Sequence, residues 1–136
     1  MTAFALPVRI YIEDTDAGGI VYYVNYLKFM ERSRTEFLRS LGYDKPAILD
    51  EGLLLVVHSA QVIYRRPARL DDQLEVTTEV VKIARTYVEF QQNVLRGNDL
   101  MCEGLIRIAC VSGETMKPNP IPIAMFERIK SHTNTN

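Results

Sequence analysis

The sequence has few of the side chains on which several kinds of site depend. It holds two cysteines, two histidines and no tryptophan in 136 residues. Cys102 and Cys110 lie in one predicted strand, where eight residues at about 3.3 Å each place them roughly 26 Å apart, so they cannot form a disulfide with each other. With no Cys-x-x-Cys or Cys/His spacing we expect no metal site, and two histidines leave few members for a Ser-His-Asp or Cys-His site.

Excess charge and long apolar runs are also missing. Sixteen Lys and Arg residues balance seventeen Asp and Glu residues, for a net charge of −1, and without a basic surface we expect no nucleic-acid partner. No apolar run reaches the roughly 18 residues of a transmembrane helix, and Met1–Leu6 lacks the features of a signal peptide. We therefore expect a cytoplasmic protein with no transmembrane segment.

The 47% of apolar residues suffice for one core, which predicts a single domain over residues 1–136 with a polar tail from about residue 131. The spacing of the apolar residues changes along the chain from period two to the helical period and back. The predicted strands are Val8–Glu13, Leu53–Arg66, Gln73–Ile83, Thr86–Leu95 and Leu100–Val111. The predicted helices are Val24–Leu41, capped by Gly42, a short Pro46–Leu49 with Asp44 as N-cap, and Ile123–Lys130.

The order of these elements predicts an α+β architecture. Short connections favour antiparallel pairing of the four later strands, and the long helix buries its apolar stripe by lying across one face of the sheet. The other face and any free edge strand then need cover. We expect a second copy of the chain to provide it, and hence a homo-oligomer.

The stretch Glu13–Tyr26 runs from a strand end through a glycine pair into the start of a helix. Gly18 and Gly19 adopt backbone angles closed to other residues and allow another molecule to approach the main chain closely. The first N–H groups of the helix, near Tyr22, Tyr23 and Val24, lack internal acceptors and suit a developing oxyanion. Asp16 lies just upstream, where its carboxylate can attack a carbonyl carbon or activate water against it.

Two other interpretations of this loop remain open at this point. An Asp-rich loop also caps its own turn or the following helix, and composition alone gives that interpretation at least equal weight. A metal site at Asp14-x-Asp16 is less favoured, because no histidine or further carboxylate cluster completes the ligand shell.

These residues resemble the hotdog-fold acyl-CoA thioesterases, in particular the YbgC or tol-pal-associated branch, which is related to 4-hydroxybenzoyl-CoA thioesterase. The resemblance covers nearly the whole chain. The segments that carry it are Tyr11–Tyr22, Asn25-Tyr26, Glu31–Glu36 and Pro67–Asp72.

The resemblance implies a fold in which an antiparallel sheet wraps one long central helix, and subunits that pair edge to edge as dimers or as dimer-of-dimers tetramers. It assigns the essential carboxylate to Asp16, as nucleophile or general base, and the oxyanion donor to the backbone N–H of Tyr23. Many members of the branch have histidine at that position, so no role is given to the Tyr23 phenol. Gly19, Val24 and Asn25 are the expected substrate-binding residues beside it.

The substrate implied is an acyl-CoA, which needs cations for its phosphates. Related thioesterases place nucleotide contacts at the turn that here holds Lys82, Arg85 and Thr86; Arg65-Arg66 at a strand end is the alternative. No cofactor or metal is needed, because coenzyme A is part of the substrate, and acyl carrier protein is the alternative carrier. The competing function is a non-catalytic acyl- or CoA-binding partner of an envelope or lipid-synthesis complex.

Overall fold

The strands of the sheet and two helices account for most of residues 3–133, the part of the chain that the computed structural model describes. The strands are β1 (Phe4–Arg9), β2 (Leu53–Tyr64), β3 (Gln73–Ile83), β4 (Tyr87–Arg96) and β5 (Asp99–Ser112). The helices are α1 (Val24–Ser40) and α2 (Ile123–Lys130). Single 3₁₀ turns occur at Ile12–Asp14 and Asp50–Gly52.

All neighbouring strands of the sheet are antiparallel, in the order β1-β3-β4-β5-β2. Burial alternates along the central strands, as the period-two pattern of the sequence requires. On β3, for example, Leu74, Val76, Thr78 and Val80 are buried and point towards α1 and the core. The α+β class predicted from the sequence is confirmed, with one long helix packed on an antiparallel sheet.

Helix α1 lies mainly over β1, β3 and β4. Its buried face includes Phe29, Met30 and Phe37, which are at most 5% exposed. Gly104 on β5 marks a close approach, since a Cβ atom there would lie 2.9 Å from the Met30 sulfur. The helix ends as predicted, with Gly42 at φ +105° and its N–H donating to the Arg39 carbonyl.

A buried polar network joins α1 to the sheet. Gln92 of β4 is fully buried, and its Nε2 donates to the Met30 carbonyl and to Thr78 Oγ1, both at 2.8 Å. Its Oε1 accepts a hydrogen bond from Arg34 Nη1 at 2.9 Å. Ser33 Oγ completes the network with contacts to Thr78 Oγ1 at 2.7 Å and the Val76 carbonyl at 2.8 Å.

The predicted strand Val8–Glu13 is wrong at both ends, because β1 spans Phe4–Arg9. After Ile10, local hydrogen bonds replace the sheet ladder. The Asp14 carboxylate accepts the Tyr11 N–H at 2.9 Å, and the Asp14 N–H donates to the Tyr11 carbonyl at 3.0 Å. An Asp side chain that bonds nearby backbone in this way favours a turn over a strand.

The predicted short helix Pro46–Leu49 is also wrong. The segment forms a turn at Pro46 and Ala47, and Ile48 makes a bridge to Leu54. The Leu49 N–H donates to the Leu53 carbonyl at 2.9 Å, so the backbone pairs with the start of β2 instead of with itself.

The predicted adjacency of the second and third strands is wrong as well. β2 pairs with β5 at one edge of the sheet, whereas β3 pairs with β1 and β4. The connection after β2 contains Pro67, which has no N–H to donate, and bonds instead to the Asp16 loop through Ala68, whose carbonyl accepts the Val21 N–H at 2.8 Å.

Both cysteines are buried, free and on β5, as predicted. The predicted C-terminal helix is α2, and part of the predicted polar tail, residues 134–136, lies outside the described residues. In the described part of the chain, neither helix has the length and apolarity needed to span a bilayer.

Candidate active site

The loop between β1 and α1 doubles back on itself at Asp16–Gly19. The Asp16 N–H donates to the Ile20 carbonyl and the Gly19 N–H to the Asp16 carbonyl, both at 3.0 Å. Gly19 has φ +76°, a conformation that strains any residue with a Cβ atom. The glycine predicted to bind substrate is therefore required by the turn itself.

Asp16 is exposed at the tip of this turn. Its Oδ1 accepts the Gly18 N–H at 2.9 Å, which is the turn-capping bond that the sequence left open as an alternative. Within residues 3–133, Oδ2 makes no hydrogen bond and Asp16 makes no ion pair. The turn thus holds the carboxylate in one orientation and leaves one oxygen available.

The start of α1 has free backbone donors. The prediction of a free N–H at Tyr22 is wrong, because this group donates to the Asp14 carbonyl at 3.0 Å. The Asn25 N–H donates to the Tyr22 carbonyl at 2.9 Å. In the described chain, the intervening N–H groups of Tyr23 and Val24 have no acceptor, and no side chain caps the helix. These two groups are the donors that an oxyanion would need.

Asn25 fixes this helix start against the loop. It is 9% exposed, and its Nδ2 donates to the Asp14 carbonyl at 2.9 Å. The same carbonyl accepts the Tyr22 N–H. Asn25 therefore holds the loop and the helix in register, a contact that the sequence indicated only as a match to a motif.

Four tyrosine rings form a cluster at the start of α1, and this cluster was missed by the sequence analysis. Tyr23 lies with its ring centroid 5.1 Å from that of Tyr22 and 5.9 Å from that of Tyr64, while Tyr26 and Tyr64 are 5.6 Å apart. Tyr26 Oη accepts the Ala68 N–H at 2.9 Å, and burial raises the pKa of its phenol. The spacing Tyr22-Tyr23-x-x-Tyr26 places three of the four tyrosines at the start of α1. Tyr64 is the last residue of β2, and only the tertiary structure brings its ring into contact with them.

The two predicted sets of CoA-binding cations lie at opposite ends of the sheet. Arg65 and Arg66 follow the end of β2, close to the loop of Asp16, and pair with Glu103 and Asp99 at 3.0 and 3.8 Å. Gln73, at the start of β3, pairs with Arg9 and therefore lies at the Asp16 end of the sheet. Lys82 lies nine residues further along β3, which places it roughly 30 Å from that end.

The turn after β3 is thus not joined to Asp16 within one chain. The Arg85 carbonyl accepts the Ile121 N–H at 2.9 Å and the Thr86 carbonyl accepts the Cys110 N–H at 2.8 Å, which anchors this turn beside the segment before α2. The Lys82 ammonium lies 5.4 Å from the centre of the Tyr87 ring. No cluster of three potential metal-binding His, Cys, Asp or Glu side chains occurs in residues 3–133.

One known family accounts for most of the chain. Residues 10–129 match the model of the thioesterase-like superfamily, and the chain belongs to that superfamily. The family predicted from the Asp16 loop and the later motifs is thereby confirmed.

Two named relatives cover most of the chain. It is 41% identical over 130 residues to the acyl-CoA thioester hydrolase YbgC of Escherichia coli O6:H1, an alignment that spans 95% of this chain and 97% of the relative. It is 42% identical over 120 residues to the acyl-CoA thioesterase YbgC of Haemophilus influenzae, with 88% of each chain covered.

Solved structures share the fold. A probable thioesterase from Bartonella henselae is 33% identical, with a TM-score of 0.78 over 89% of this chain and 100% of its own. A hypothetical protein from Aquifex aeolicus is 29% identical, with a TM-score of 0.85 over 93% of this chain and 98% of its own.

Proposed function

We propose that the protein hydrolyses acyl-CoA thioesters to the free acid and coenzyme A. The observation that carries this proposal is the exposed Asp16 carboxylate, held by its own turn in the loop that leads into a helix start with two free N–H groups. The names of the relatives from Escherichia coli and Haemophilus influenzae support the same reaction.

In the proposed reaction, the thioester carbonyl oxygen accepts hydrogen bonds from the N–H groups of Tyr23 and Val24. These donors stabilise the negative charge that develops on the oxygen, aided by the positive end of the α1 dipole. Asp16 acts in one of two ways. As a nucleophile it forms an anhydride that water cleaves; as a general base it takes a proton from water as the water attacks. In both, the C–S bond breaks and the sulfur leaves as a thiolate, which becomes the thiol of coenzyme A by taking a proton from water in the first route or from the Asp16 carboxyl in the second.

The binding of coenzyme A is proposed to use cations from two copies of the chain. β2 is an edge strand whose outer side has no neighbour within the described chain. An antiparallel pairing of β2 with its copy reverses the second sheet, so that the copy's turn with Lys82, Arg85 and Thr86 lies at the Asp16 end of the first. We therefore propose a homodimer, alone or within a dimer-of-dimers tetramer, with Arg65 and Arg66 as the contacts from the first chain.

The test of this function is thiol release from a panel of acyl-CoAs by the wild type and by Asp16→Asn and Asp16→Ala. Loss of turnover in both variants, with CoA binding and oligomer size retained, is expected. Glu13→Gln is the matched control, because Glu13 is an exposed carboxylate of the same loop with no hydrogen bond or ion pair in the described structure, and it should keep wild-type rates.

The panel also separates the alternatives. Binding of acyl-CoA without turnover by the wild type would contradict hydrolysis and favour the acyl- or CoA-binding partner function. Acyl carrier protein thioesters in the same assay identify the carrier, through the ratio of kcat/KM for the two carriers of one acyl group.

A further inference from the structure

The inner face of the sheet beyond α1 is open and forms a groove. Val57 and Ala60 of β2 pair with Ile108 and Ile106 of β5 and therefore point to the same face as the core. The two β5 residues are buried, but Val57 and Ala60 are exposed, because α1 does not extend over them. The groove lies between α1 and β2, with β5 as its floor.

Two adjoining cavities fill this groove. The near cavity, of about 250 Å³, begins at Val24 and is lined by Leu27, Ala60 and Ile106. The far cavity, of about 280 Å³, is lined by Leu38, Leu55, Phe90 and Ile108. Both cavities share Glu31, Arg34 and Val57, so they meet beside Arg34.

The groove is continuous with the proposed oxyanion site. Val24, whose free N–H is one of the two donors at the helix start, also lines the near cavity. An acyl chain attached to a carbonyl held there enters the groove directly. Arg34 is ten residues further along α1, which is about 15 Å along the helix axis, and side chains of a helix lean back towards its start.

Arg34 is a buried cation with unused donors. It is 9% exposed, its one hydrogen bond in the described structure is to Gln92, and it makes no salt bridge there. Among the residues described, a fully buried side-chain nitrogen or oxygen without a hydrogen-bond partner occurs at Thr133 Oγ1 and not at Arg34. The guanidinium nitrogens of Arg34 that do not bond to Gln92 must therefore reach an accessible surface. The accessible surface that Arg34 lines is the groove.

The charges around this point favour an acceptor. Burial lowers the pKa of Arg34 to about 10, and a guanidinium with that pKa is still charged at neutral pH. Lys28 and Glu31 also line the groove, both exposed at its rim, so the three charges sum to one positive. A guanidinium has five N–H donors and no acceptor, and it binds carboxylate or hydroxyl oxygens strongly when partly desolvated.

We propose that the groove between α1 and β2 holds the acyl chain of the substrate, and that Arg34 binds an acceptor oxygen on that chain. The enzyme is then selective for acyl groups that carry a distal carboxylate or hydroxyl over hydrocarbon chains of equal length. This inference rests on the proposed thioesterase function and names its substrate class.

The test compares matched pairs of acyl-CoAs in the wild type: adipoyl with hexanoyl, suberoyl with octanoyl, and sebacoyl with decanoyl. At the length that reaches Arg34, kcat/KM for the diacid thioester should exceed that for the hydrocarbon by about tenfold, the size expected of one charge-assisted hydrogen bond. ω-Hydroxyoctanoyl-CoA separates the effect of charge from that of hydrogen bonding. Its hydroxyl is a neutral acceptor, so its kcat/KM should exceed that of octanoyl-CoA by a smaller factor than the kcat/KM of suberoyl-CoA does.

Variants place the preference on Arg34. Arg34→Met should abolish it, mainly through KM of the oxygenated substrate, and Arg34→Lys should retain part of it. Arg32→Met is the matched control: Arg32 is exposed on α1, outside both cavities, with its guanidinium 5.7 Å from the Phe29 ring centre, so its loss should leave the preference intact.

Three outcomes would overturn the inference. The wild type could hydrolyse both members of every pair equally. Arg34→Met could slow both members by the same factor, or it could dissociate the oligomer and slow both, and either would give Arg34 a structural role. A wild type that hydrolyses no thioester contradicts the proposed function itself, whereas Asp16-dependent hydrolysis without a preference contradicts this inference alone.

Discussion

The half of the inner sheet face under α1 and the half beyond it are built from similar residues but differ in cover. Under the helix, Phe29 and Met30 are almost fully buried, and Met30 lies against Gly104 of β5. Beyond it, Val57 is 56% exposed although it pairs with the buried Ile108 on the same face. The comparison shows that one apolar face serves two purposes: the covered half stabilises the fold, and the open half is available to a ligand or a second copy.

The largest expected effect separates the two halves by stability. Phe29→Ala removes a ring that is 1% exposed and should lower the free energy of unfolding by about 4 kcal/mol, because it leaves a cavity in the core. Val57→Ala should change it by less than about 0.5 kcal/mol. Urea denaturation of both variants measures the difference, and equal losses would contradict the division into a covered and an open half.

The polar network under α1 should come next. Gln92→Ala leaves Arg34 Nη1, Thr78 Oγ1 and the Met30 carbonyl without their shared partner and should cost about 3 kcal/mol in the free energy of unfolding. Gln91→Ala, on the other face of the same strand, loses one hydrogen bond to Asn93 and should cost less than about 1 kcal/mol. Similar values for the two variants would show that the network is not a stabilising feature of the covered half.

The close approach at Gly104 should have a smaller effect. Gly104→Ala places a Cβ atom 2.9 Å from the Met30 sulfur and should lower the free energy of unfolding by about 1 kcal/mol, because the flexible end of Met30 can move. The loss should shrink when Met30 is shortened to valine, which a double-mutant cycle measures. An unchanged loss in the Met30→Val background would assign the effect to the β5 backbone.

A further effect, which appears only at alkaline pH, concerns a thiol on the inner face of β5. Burial, and then the charge of Glu103, raise the pKa of Cys102 to about 12. The unfolded thiol ionises above pH about 8.5, so the folded state holds one more proton between the two values and the free energy of unfolding falls as the pH rises through that range. The fall should be shallower in Cys102→Ala, as determined by denaturation at a series of alkaline pH values; equal slopes would contradict the raised pKa.

Much of the fold could be predicted because local patterns determined it. The period-two runs of the later strands, the helical spacing after Val24 and the cap at Gly42 all depend on neighbours in sequence. The errors have a different origin. The Tyr11 N–H bonds to the Asp14 side chain, Ile48 pairs with Leu54, and β2 pairs with β5. In each case the segment has more than one possible hydrogen-bonding partner, and the periodicity of the sequence does not distinguish between them.

The candidate site divides in the same way. The loop of Asp16 and the free N–H groups of Tyr23 and Val24 are contiguous in the chain, so the sequence placed them together. Arg34 lay inside a family motif without a role, because its burial and its contact with Gln92 depend on how α1 meets β4. Tyr64 joined the cluster at the helix start for the same reason.

The central claim, that the open half of the inner face holds the acyl chain, is tested most directly by blocking the groove. Ala60→Phe fills the near cavity, and Ser59→Phe, whose side chain lies on the opposite face of β2, is its control. We expect kcat/KM for octanoyl-CoA to fall at least about tenfold in Ala60→Phe, with acetyl-CoA hydrolysis and oligomer size unchanged, and the control to resemble the wild type. Equal rates on both substrates in Ala60→Phe and the wild type would contradict the account.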